Sequence, residues 1–216
     1  MEFRLIYQGP LLSSNVGRVK HKHQIRRKIH RQLAELWRVH PAINRLPQIY
    51  LHATDAATGL TSERSRLDDL LDAYTKHGFR FAPLINPHYG LVCSLDILFL
   101  RRGDPGGAIQ STDIDNRVKT MLDALKIPTH KEELGDAVPA QGENPFFCLL
   151  SDDSLVTEIR IVTDRLLVPQ EEAPEELVRT VELEDGCNSP ASKVYMVIRV
   201  KTMPSDPRRA YIEMSL

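Results

Sequence analysis

Strand-like runs that alternate with amphipathic helical ones predict an α/β (α+β) fold: a single domain with a mixed sheet of about five strands and helices packed on it. Three observations carry that expectation. Leu91 to Leu100 is a long, mainly apolar run of strand type, Leu155 to Val162 alternates as a half-buried strand does, and His21 to Val39 repeats its apolar residues at helical spacing. With 216 residues, 42% hydrophobic and 26% charged, the chain suits one domain with an elaboration and can bury an adequate core.

From the N-terminus, Phe3 to Tyr7 reads as a short strand ended by Gly9-Pro10 and a Ser13-Ser14-Asn15 turn. The helix from His21 to Val39 sets Ile25, Ile29, Leu33, Leu36 and Trp37 on one face, with Arg26, Arg27, Lys28 and Arg31 largely elsewhere. Gln48 to Ala53 is a second strand. Thr61 to Lys76 is a second helix, with Leu67, Leu70, Leu71 and Tyr74 inward and Asp68, Asp69 and Asp72 facing solvent. Leu91 to Arg101 is the third strand, packing Cys93 and carrying Asp96 out of pattern. A Gly- and Pro-containing loop then leads to a third helix whose stripe is Ile114, Val118, Met121, Leu122 and Leu125. Residues 126–151, with Gly135, Pro139, Gly142 and Pro145, read as an inserted loop. After the strand near Leu155 to Val162, residues 168–190 are acid-rich and read as an exposed face or loop; a second option is that they imitate nucleic-acid charge and shield a basic surface. Ser192 to Met203 forms the last strand, and the tail after Pro204 is an edge element or a subunit contact.

Chemistry concentrates in Thr112-Asp113-Ile114-Asp115-Asn116-Arg117-Val118-Lys119 and in Ser151-Asp152-Asp153-Ser154. Capping alone explains part of this: Thr112 is a good N-cap, and acids in a first turn meet the positive end of the helix dipole. The order of elements adds more. A strand leads through a loop to an acid pair that opens an amphipathic helix, and a second acid pair opens the next strand. Asp115 and Lys119 lie four apart and share a face away from the apolar stripe. Asp113 can join them only from the loop or the first turn. Oxygen-only ligands favour Mg²⁺, with Mn²⁺ as a substitute. Such an ion can polarise a phosphate and generate a hydroxide, and Lys119 would add positive charge where the reacting phosphate becomes more anionic.

The pattern Asp113-x-Asp115-Asn116-x-x-Lys119-x-x-x-Asp123-Ala124-Leu125, followed by Asp152-Asp153-x-x-Val156, resembles the RusA family of Holliday junction resolvases over roughly residues 91 to 163. The resemblance implies a Mg²⁺-dependent endodeoxyribonuclease acting on branched DNA in recombination or repair. It implies that Asp113, Asp115 and Asp153 bind the metal, with Asp152 beside them, and that Lys119 is needed for cleavage. It also implies a homodimer on four-way DNA, with one active site per subunit. The 126–151 insertion and the longer C-terminal side depart from the compact members, so metal chemistry carries over more directly than junction choice. Two other readings stay open: a nuclease of the same fold with another nucleic-acid target, in a phage or defence role, and a catalytically inactive module that binds branched DNA. A protein-interaction role for the insertion and the acidic segment is a third.

The formal charge of −1 conceals segregation. Residues 1–50 carry ten Lys and Arg against Glu2 and Glu35, a net +8, which leaves −9 on the remainder. Asymmetry of this kind points to a polyanionic partner. Within the basic segment 17–39, Arg18, Lys20, Lys22, Arg26, Arg27, Lys28 and Arg31 are the candidates for DNA-backbone contact, which neutralises phosphates without reading sequence. His21, His23 and His30 between them read as neighbours rather than ligands. Cys93, Cys148 and Cys187 are widely spaced and odd in number, which argues against a disulfide framework or structural zinc. No apolar run has membrane-spanning length and no signal peptide is evident, so the expected compartment is the cytoplasm.

Overall fold

The computed structural model describes residues 1–12, 19–45, 50–54, 61–101, 113–167 and 193–206. Among these residues the fold is α+β, with three helices and nine strands. Four strands form a mixed sheet in the order β1 (Glu2–Pro10), β9 (Lys193–Pro204), β6 (Leu91–Arg101), β8 (Val156–Arg165). Only β6 and β8 run parallel; β1 with β9 and β9 with β6 are antiparallel. A second mixed sheet orders β4 (Thr75–Lys76), β5 (Phe79–Ile85) and β7 (Phe146–Leu150), with β5 parallel to β7. A hairpin of β2 (Tyr50–Thr54) and β3 (Thr61–Ser65) completes the set. The helices are α1 (Val19–Val39), α2 (Arg66–Ala73) and α3 (Asp113–Leu125). The fold class and its mixed sheet agree with the sequence; of the five strands expected, four form the large sheet, and β2 pairs with β3 instead.

Alternation in the large sheet builds one core. Leu5 and Tyr7, Met196, Ile198 and Val200, and Leu95, Ile97 and Phe99 point to one face, where Ile25, Ile29, Leu33 and Trp37 of α1 and Met121, Ala124 and Leu125 of α3 cover them. Each fully buried aliphatic side chain of this kind contributes about 1.5–3 kcal/mol. A smaller cluster of Phe79, Phe81, Ile127, Leu134, Phe146 and Cys148 lies beneath the second sheet.

Two sequence readings are corrected here. Residues 61–76 are not one helix: β3 ends at Ser65, whose side chain accepts from the Asp68 N–H at 3.1 Å and starts α2 one residue later. Residues 126–151 are not a plain loop, since they hold β7 and bury Ile127 and Leu134. The turn between β5 and β6 is held by Asn86, fully buried, which donates to the Pro83 carbonyl at 2.7 Å and accepts from the Tyr89 N–H at 2.8 Å. Gly90 follows at φ +62°, a left-handed conformation suited to glycine. Arg18, Thr112, Cys187, the 168–190 segment and the tail from residue 207 lie outside the described residues.

Candidate functional site

Asp113 is the first residue of α3. Val118, Met121 and Leu125 of that helix are buried, with Leu122 packed against the core, while Asp115 and Lys119 are exposed on the other side. Neither Asp115 nor Lys119 makes an ion pair among the described residues. Three cations on α1 and just past the end of α3 behave differently, each lying against a carboxylate. The Lys22 ammonium lies 2.6 Å from Asp123, the Arg27 guanidinium 2.7 Å from Glu143, and the Lys126 ammonium 2.9 Å from Asp153.

Asp153 is thus placed by Lys126, a residue that sequence reading overlooked although a lysine just past a helix C-terminus is a recognisable dipole partner. Burial lowers the Lys126 ammonium pKa, but the hydrogen bond and charge of Asp153, with the charges of Asp123 and Asp152, outweigh it and raise the pKa overall. Hydrogen bonds from Ser154 hold the Asp152 carboxyl below its usual range, its Oδ1 accepting from the Ser154 N–H at 2.9 Å. Asp123, Asp152 and Asp153 therefore gather around Lys126 at the far end of α3. Leu125 lies ten residues past Asp115 on that helix, about 15 Å along its axis at 1.5 Å per residue. Asp115 lies in the first turn of α3, whereas Asp153 pairs with Lys126, the residue that follows its last. Among the described residues no group of three His, Cys, Asp or Glu side chains is placed to hold a metal. The side chain of Asp113, the other acid expected as a ligand, lies outside the described residues.

On α1, the DNA-contact candidates divide. Arg26 is corrected outright: it is 1% exposed, and its guanidinium donates to the carbonyls of Asp123 at 2.9 Å and Lys126 at 3.2 Å. It therefore ties the C-terminal carbonyls of α3 to α1. Lys22 and Arg27 are committed to Asp123 and Glu143, so a phosphate would have to compete with those carboxylates. Lys20, Lys28 and Arg31 stay exposed, Lys28 also donating to the Gln8 carbonyl at 2.8 Å. Positions 20, 24, 28 and 31 form one helical stripe. No family model, curated protein or solved structure matches this chain.

The histidines of α1 are core residues. His30 accepts from the Phe147 N–H at Nδ1, 2.9 Å, so its Nε2 carries the proton and donates to the Gly142 carbonyl at 3.2 Å. Its ring stacks on Phe146 at 4.4 Å. His23 is 4% exposed between Phe79 and Phe146, and neither ring nitrogen has a hydrogen-bond partner among the described residues. Burial, helped by the charges of Arg26 and Arg27, pushes its pKa down to about 4. The unfolded chain protonates this histidine near pH 6.5, whereas the folded chain resists until about pH 4. Stability from this group is complete above pH 6.5 and falls as pH drops through that window. Urea unfolding at pH 7 and pH 5 should show wild type losing about 1–2 kcal/mol more than His23→Phe. Equal losses would show that His23 does not carry the acid sensitivity.

Proposed function

We propose that the chain is a Mg²⁺-dependent endonuclease of the cytoplasm that acts as a homodimer on DNA, branched DNA in particular. The observation that carries this reading is the exposure of Asp115 and Lys119 on one face of α3 without ion pairs among the described residues, while Lys22, Arg27 and Lys126 nearby are each paired with a carboxylate. Charges committed to structure are normally paired. Two opposite charges left open at a helix start that Asp113 also occupies suit a ligand carrying phosphate and, with it, a hard cation. Lys20, Lys28 and Arg31 would meet the DNA backbone.

The test uses end-labelled four-way junction, flap, linear duplex, single-stranded DNA and RNA side by side, each with Mg²⁺ or EDTA. Mg²⁺-dependent nicking of the junction above the others is expected, and nicking that survives EDTA would remove the cation from the proposal. The Lys126–Asp153 pair favours a second reading, a DNA-binding module without cleavage, because it keeps one expected ligand engaged elsewhere. Tight junction binding with no product in Mg²⁺ or Mn²⁺ would select it.

Both readings use the exposed stripe of α1. A Lys20→Ala, Arg31→Ala double variant should lower the slope of log K against log salt by about 1.8, roughly 0.9 for each phosphate that the protein no longer neutralises. A slope that does not change would place the DNA on another surface.

A further inference from the structure

The two edges of the large sheet are finished differently. At β1, Gln32 of α1 folds over the edge, accepting from the Ile6 N–H at 2.8 Å and donating to the Ile6 carbonyl at 2.7 Å, while Lys28 takes the Gln8 carbonyl. At β8, the Asp164 carboxylate accepts from the Arg165 N–H at 2.7 Å at the end of the strand, but among the described residues no side chain from another element folds over the edge from Glu158 to Thr163. Apolar side chains stand out on both of its faces: Ile159 and Ile161 are 40% and 38% exposed beside the buried Leu95 and Ile97, and Val162 is 41% exposed beside Leu98. A long strand with open backbone groups and apolar residues on both faces is a template for another strand.

We infer that β8 pairs antiparallel with β8 of a second copy of this chain, joining two four-stranded sheets across a two-fold axis at Val162. The charge pattern selects both the occupant and the register. Centred on Val162, Arg160 of each copy faces Asp164 of the other, Val162 faces itself and Ile161 faces Thr163. All these residues lie beyond the irregularity at Thr157, where the β6–β8 register shifts. Centring on Ile161 would set Glu158 against Asp164, and centring on Arg160 would set arginine against itself, so neighbouring registers are opposed by like charges. A two-fold interface requires self-complementarity of this kind.

The inference names the surface of the dimer in the proposed function, but its readout is mass rather than cleavage, so each can fail without the other. The experiment is sedimentation equilibrium of the full chain without DNA, with circular dichroism confirming fold. Wild type should show twice the chain mass. Asp164→Arg, which sets two arginines face to face at each pair, should weaken association at least tenfold, and Arg160→Asp with Asp164→Arg should restore it. A wild-type monomer at 100 µM, a dimer indifferent to Asp164→Arg, or failure of the double exchange to recover association would each overturn the inference.

Discussion

Arg26→Ala is expected to cost about 3 kcal/mol of folding stability while leaving the salt dependence of DNA binding unchanged. The size follows from what the side chain holds. Its guanidinium supplies hydrogen bonds to the Asp123 and Lys126 carbonyls, and removal leaves both without that donor inside the protein. Hydrogen bonds to a charged donor are worth about 1.5–3 kcal/mol, and the space left by a large buried side chain adds to the loss. Burial lowers the Arg26 pKa, a cost the site accepts in order to join α1 to the end of α3. Urea titration should show a lower midpoint at unchanged slope. A stable Arg26→Ala protein with weakened DNA binding would return this residue to the nucleic-acid surface.

Asp115→Asn should reduce cleavage at least 100-fold, with folding stability within about 0.5 kcal/mol of wild type. Asp115 is exposed and makes no ion pair among the described residues, so neutralising it removes little from the fold. Lys119→Met should behave similarly, since its ammonium is likewise exposed. The contrast with Arg26 is the useful point: for these two charged residues of the same helix pair, stability should respond at Arg26 and cleavage at Asp115. DNA affinity should hold or rise in Asp115→Asn, because a negative charge leaves the vicinity of the backbone. Loss of stability matching the loss of cleavage would make Asp115 a capping residue.

Sequence periodicity was sufficient for the elements with one buried face. The stripes of α1 and α3, the alternation in β6 and β9, and the placement of Cys93 were legible because polar residues mark their solvent sides. β5 and β7 were not. Phe-Phe-Cys-Leu-Leu is buried on both faces and so lacks alternation, and β5 contains Pro83, which argues against a strand. The fold accepts that proline because β4 pairs only with Phe79 and Arg80, leaving β5 a single strand partner beyond them. In the candidate site, the open face of Asp115 and Lys119 was readable from four-residue spacing. The fate of Arg26 was not: helical position gave it a polar neighbourhood, and only the arrival of the α3 C-terminus buries it. For Asp153, its sequence neighbours are uninformative about Lys126, whose position depends on the parallel bridge between Lys126 and Leu150.

The most direct measurement binds wild type and Asp115→Asn to a four-way junction in EDTA, with each strand labelled in turn, and then adds excess Mg²⁺. Paired nicks in opposed strands from wild type, and none from Asp115→Asn at equal occupancy, are the expected result. Bound junction that stays intact in wild type, or equal nicking by both proteins, would contradict a phosphodiester-cleaving site at the start of α3.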